Sequence, residues 1–85
     1  MGTPLRLWFE AVPISEPGDV ARNVTSVEEA ARTLVAEWPQ RDKSDARLAA
    51  MTACLVAMKR RTVVDVEVAR EAFVEAARQA GILQQ

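Results

Sequence analysis

The sequence predicts a small single α+β domain, an N-terminal two-stranded antiparallel hairpin followed by three helices. Three observations carry that prediction. An alternating segment near the amino end runs into a cluster of turn formers, two capping boxes open apolar stripes of helical period, and a run almost free of charge lies between them. With 85 residues the chain fits one domain, because a second core would need about 50 residues of its own. An apolar share of 49% beside 27% charged residues belongs to a folding chain, not a disordered one. Aromatic residues make up only 5%, so the core has to be built from short side chains on closely approaching helices, and its stability is expected to be modest.

The first strand is placed over residues 5–12. Leu5, Leu7, Phe9 and Ala11 fall on one face and Arg6, Trp8, Glu10 and Val12 on the other, with Pro13 at its end. Ser15-Glu16-Pro17-Gly18-Asp19 reverses the chain, since Pro17 presets one corner and Gly18 accepts positive φ at the next. Residues 20–24 form the return strand. A two-stranded sheet is barely stable alone, so it must lie on the helices.

Ser26 and Glu29 have the spacing of a capping box, with the Ser26 hydroxyl accepting from the Glu29 amide and the Glu29 carboxylate reaching back to the Ser26 amide. The first helix, residues 26–38, follows with Val27, Ala30, Ala31, Leu34, Val35 and Trp38 as its apolar stripe, and Pro39 ends it. Either Asp42 or Ser44 caps the second helix, residues 44–60, which carries no charge from Leu48 to Met58. A helix apolar on nearly all sides is expected at the centre of the fold, enclosed by its neighbours. Ala46, Ala50, Ala53 and Ala57 form a ridge without bulk, and Leu48, Met51, Leu55 and Met58 fill the remaining space. Thr62 and Asp65 repeat the capping-box spacing and open the third helix, residues 63–80. Val66, Ala69, Phe73, Ala76 and Ala80 make its buried stripe, Glu67 with Arg70 and Glu75 with Arg78 its exposed pairs, and Gly81-Ile82 a Schellman stop.

Charge and cysteine content narrow the function classes. Eleven basic and twelve acidic residues give a net charge of −1, so no overall field draws the chain to nucleic acid or to an anionic membrane. The uncharged run would make a helix about 17 Å long against roughly 30 Å of bilayer hydrocarbon. A lone Cys54 and the lack of a leader pattern point to the reducing cytoplasm.

With the helices placed, Glu29-Ala30, Leu34 and Trp38-Pro39, then Ala50, Cys54 and Ala57, then Ala69-Arg70, Ala72-Phe73, Ala76-Ala77 and Ala80-Gly81-Ile82 form a connected pattern. It resembles the bacterial domain of unknown function 982 family from about Leu7 to Ile82, most specifically over Ala69 to Ile82. The resemblance implies a small cytoplasmic bacterial protein and carries over no activity, partner or catalytic residue. One departure is local: where the family is expected to turn through a glycine after the central helix, this chain has Lys59, Arg60 and Arg61.

Catalysis has little to work with, because there is no histidine or tyrosine, no phosphate-cradling glycine loop and no paired-cysteine motif. A small enzyme would have to use Cys54, which the uncharged run marks as a buried, inert thiol. Asp42 with Asp45 and Glu28 with Glu29 could suggest a hard-cation site, but both pairs sit in first helical turns, where carboxylates complement the dipole. No metal, cofactor or small-molecule ligand is implied. Lys59, Arg60 and Arg61 could contact phosphate as part of a nucleic-acid-associated regulator, extended by Arg41, Lys43 and Arg47 if these came together; helix capping explains the run as well. The favoured expectation is a non-catalytic homodimeric or protein-docking module, because Trp8 and Val12 leave large apolar side chains on the second face of a hairpin with open edges.

Overall fold

The computed structural model describes residues 6–15, 20–42 and 44–84. The element order is β1 (Trp8–Ile14), β2 (Arg22–Ser26), α1 (Val27–Ala36), α2 (Asp45–Arg60) and α3 (Val63–Ala80), the expected hairpin followed by three helices. Leu5, Gly2, Lys43 and the turn residues Glu16, Pro17, Gly18 and Asp19 lie outside the described residues.

β1 and β2 pair antiparallel, but not as a simple alternation. Trp8 is opposite Ser26 and Val12 opposite Val24, so β1 advances four residues while β2 advances two. Such a bulge shifts the inward face of the strand. Leu7 and Phe9 pack partly against the core, and beyond the irregularity Val12 and Ile14 are the buried residues. The expected pairing of Val12 with Trp8 on one outer face is therefore corrected. Pro13 lies within β1, not at its end, because its backbone faces away from β2, where its carbonyl accepts from the Gln84 amide at 2.9 Å. Ser15 N–H donates to the Ile82 carbonyl at 2.7 Å, and Ile14 bridges Leu83, so the chain's last described residues cover that end of the β1 edge.

Local chemistry sets the helix ends. Ser26 accepts from the Glu29 amide at 3.1 Å, whereas the Glu29 carboxylate takes the Thr25 amide at 3.1 Å in place of the Ser26 amide. The Ser26 end is further tied to the residue just before β1, where Leu7 N–H donates to Glu28 Oε1 at 2.9 Å and Val27 N–H to the Leu7 carbonyl at 2.9 Å. α1 stops two residues earlier than expected, with Glu37 as its C-cap, since Pro39 bars Trp38 from helical geometry. Ser44 is the N-cap of α2 without a side-chain cap bond; Asp42 Oδ1 instead accepts the Ser44 amide at 3.1 Å. Thr62 accepts from the Asp65 amide at 3.0 Å and donates its hydroxyl to Asp65 Oδ2 at 2.7 Å. Gly81 adopts φ 77° and Ile82 folds back with its amide on the Ala77 carbonyl at 3.0 Å, the expected Schellman stop.

The core sits between the sheet and the helices, with Phe73 fully buried and its ring edge-on to Trp38 at 5.8 Å between centroids. α3 and α1, not α2, join the helices to the sheet: α3 packs on α2, on α1 and on β1, and α1 packs on α2, on α3 and on β2. α2 packs on α3 and α1 and buries only Ala50, Cys54 and Ala57. The expectation of an enclosed central helix is corrected here, for a steric reason. Those small side chains let α3 come close, and the bulky Leu48 and Leu55 project the other way, each more than 60% exposed. Arginines lock the ends together: Arg47 donates twice to the Leu34 carbonyl, at 2.9 and 2.7 Å, and Arg70 Nε donates to the Glu10 carbonyl at 2.8 Å. Arg78 pairs with Glu75 as its spacing predicts, but Arg70 is drawn to the bulge of β1 instead of to Glu67.

Candidate interaction surface

The sequence candidates divide into those the fold exposes and those it consumes. Trp8 is 61% exposed, with the Arg6 guanidinium 5.8 Å from its ring centroid. Val12, at 1%, is a core residue and not a surface one, because the bulge turns it inward. Lys59, Arg60 and Arg61 are all exposed. Arg60 Nε lies 3.1 Å from Asp65 Oδ2, which ties it to the start of α3. Arg61 closes α2 in the left-handed conformation at φ 57°, its amide donating to the Ala57 carbonyl at 2.8 Å. An arginine thus fills the place where the family pattern led us to expect a glycine.

A continuous basic patch does not form among the described residues. Arg41 donates to the Ala80 carbonyl at 3.1 Å and Arg47 to Leu34, both near the amino end of α2, a helix about 24 Å long with the basic run at its other end. The fold does bring Arg61 near Trp8. Both line an open, mainly apolar cavity of about 230 Å³ whose walls also include Leu7, Val63 and Val66.

The groups weighed for chemistry are occupied by structure. Cys54 is fully buried on α2, and desolvation, with the nearby charge of Glu28 adding to it, pushes its thiol up to about 11. A thiol held neutral in this way is a poor nucleophile. Asp42 is held below the ordinary carboxylate range, chiefly by the hydrogen bond from Trp38 Nε1 to Oδ2 at 2.7 Å, with the Ser44 amide assisting against some desolvation. Glu28 and Glu29 accept backbone amides, as described above. No group of three or more metal-ligating side chains occurs among the described residues. None of the described helices is long and apolar enough to cross a membrane.

The feature that sequence reasoning missed is the outer face of α2. Its exposed positions are Asp45, Leu48, Ala49, Thr52, Leu55, Val56, Lys59 and Arg60. Steps of three and four recur along them, so they form one stripe down a helix whose other side carries Ala50, Cys54 and Ala57. The signal was present as a difference in size. Leucine stands at 48 and 55, small residues at 50, 54 and 57, and close helix packing selects the small side as the buried one.

Fold and surface together define a small α+β domain with a short bulged hairpin, three helices and an apolar outer helix face. Within that class, the chain belongs to the family described as protein of unknown function DUF982, whose profile matches residues 10–84. No curated protein and no solved structure matches the chain.

Proposed function

We propose that this protein is a non-catalytic interaction module that acts by self-association. The observation that carries the reading is the exposed α2 face, where Leu48 and Leu55 are 61% and 63% exposed and Val56 38% on a helix that buries little itself. Scattered exposed apolar residues are ordinary, but a periodic row of them on one helix resembles a packing seam without its partner. The sheet supports self-association less well than the sequence suggested. Val12 has gone into the core, and the Ile14 end of the β1 edge is covered by Leu83.

The alternative of a nucleic-acid-associated regulator keeps only a local cluster, because Arg60 is partly neutralised by Asp65 and Arg41 and Arg47 are spent on helix carbonyls. We also place the protein in the cytoplasm, where its lone thiol stays reduced. Light scattering during gel filtration over a concentration series tests the reading. A dimer that grows with concentration and is lost in Leu55→Glu is the expected result; a wild type that stays monomeric at millimolar concentration refutes it.

A further inference from the structure

Resting on the reading of a self-associating module, we propose that two copies pair through α2 in antiparallel orientation about a two-fold axis passing Thr52. The exposed stripe is self-complementary about that residue. Positions equidistant from Thr52 come to the same level along the seam, so Leu48 packs beside the partner's Leu55, Ala49 beside the partner's Val56 one step away, and Asp45 meets the partner's Lys59. Symmetry makes each of these contacts twice, as an isologous interface requires.

Charge complementarity selects this partner and this orientation. Neither Asp45 nor Lys59 has an ion-pair partner among the described residues, whereas the adjacent Arg60 is engaged by Asp65. Antiparallel pairing gives each of the two free charges an opposite one across the interface. Parallel pairing would set Asp45 against the partner's Asp45 and Lys59 against the partner's Lys59, two like-charge contacts. It would also align the two helix dipoles, which the antiparallel arrangement opposes. Size agrees with charge: the small Ala49 and Thr52 at the centre allow close approach, and Leu48 and Leu55 flank them at the heptad-like spacing that seams two helices. A contact confined to one pair of helices falls at or below the small end of stable interfaces, roughly 1,200 Å². The dimer is accordingly concentration-dependent.

Cross-linking at single introduced cysteines reads the geometry. A short bis-maleimide spans the roughly 8–10 Å between packed helix axes, so Thr52→Cys, at the axis, cross-links efficiently. Asp45→Cys, about 21 Å from its symmetry mate along the helix direction, does not. The wild type is the blank, since its own Cys54 is buried. In a second arm, Asp45→Lys or Lys59→Asp alone weakens association by roughly tenfold at low ionic strength, because two facing pairs turn repulsive. The double variant Asp45→Lys, Lys59→Asp restores it to within about twofold. Circular dichroism melts check that these helix-end charges leave the fold intact. Cross-linking at both cysteines, a parallel signature, overturns the proposal. So does cross-linking at neither with a dimer still visible by light scattering, in which case the module reading stands and this surface is the wrong one. A monomer throughout removes both.

Discussion

Among the described residues, two occupy the left-handed region, Gly81 at φ 77° and Arg61 at φ 57°, and substituting each in the opposite sense gives a matched test of what ends the long helices. In Gly81→Ala, an added Cβ meets nothing within 4 Å, so packing contributes no penalty and the cost is conformational alone. Left-handed geometry costs an L-residue about 1–2 kcal/mol. Removing a glycine from the unfolded chain returns about 0.4–1 kcal/mol. The net is a loss of about 1 kcal/mol, which in a domain of this size lowers the melting temperature by about 4–8 °C. At Arg61 the same balance runs in reverse. Arg61→Gly relieves the backbone but also removes a side chain that lines the cavity beside Trp8, so Arg61→Ala is the necessary reference. It loses the same side chain and keeps the strain. Arg61→Gly should therefore melt about 4–8 °C above Arg61→Ala, by the same relation. Thermal denaturation followed by circular dichroism measures all three. An unchanged Gly81→Ala, or an Arg61→Gly no more stable than Arg61→Ala, refutes the assignment of these two helix ends.

Three further outcomes probe the core. Asp42 titrates below the ordinary carboxylate range in the folded state, so its contribution is complete above about pH 4 and is lost as the pH falls through its folded value. Trp38 fluorescence in acid titrations should register that loss, and Asp42→Ala, which strands the buried indole N–H, should cost about 1–3 kcal/mol at neutral pH. Val12→Ala should destabilise by about 2 kcal/mol and Trp8→Ala by no more than about 0.5 kcal/mol in urea unfolding, since only Val12 is buried; the reverse order would mean that β1 alternates without a bulge. Cys54 should label with a maleimide about a hundredfold more slowly in the native protein than in denaturant, and equal rates would place the thiol at the surface.

The parts of this structure that were legible in the sequence are those written in local chemistry. Ser26 with Glu29, Thr62 with Asp65 and Gly81 with Ile82 act within a few residues of themselves, and each marks the helix end it was read to mark. Distant contacts account for the rest. The bulge between Trp8 and Val12 contains no glycine to announce it, and the group that grips its backbone is Arg70, sixty residues away. Strict alternation therefore puts Val12 on the wrong face. The cover over the β1 edge comes from Ile82, Leu83 and Gln84, residues with no strand pattern of their own. Of the candidate surface, alternation along the first strand marks Trp8 and the basic run is plain at residues 59–61, while the approach of Trp8 to Arg61 across the cavity depends on packing that brings the first strand to the α2–α3 turn.

The placement of α2 differs from the enclosed helix that its uncharged run predicts, because a lack of charge does not by itself bury a helix on all sides. Burial follows fit as well as polarity. α3 presents Ala69, Phe73, Ala76, Ala77 and Ala80 toward its neighbours, and the single large ring among them already has Trp38 against it. A helix closing over that surface gains most by offering Ala50, Cys54 and Ala57, since leucines there would hold the two backbones apart and leave voids beside the alanines. Leu48 and Leu55 are then left on the outside by geometry. Ordinary surface positions of such a helix would carry lysine or glutamate, at no cost to the packing behind them. That these positions are apolar, and that along the exposed stripe charges resume at Asp45 and Lys59 on either side, is what the chain's own packing does not require and a second α2 would.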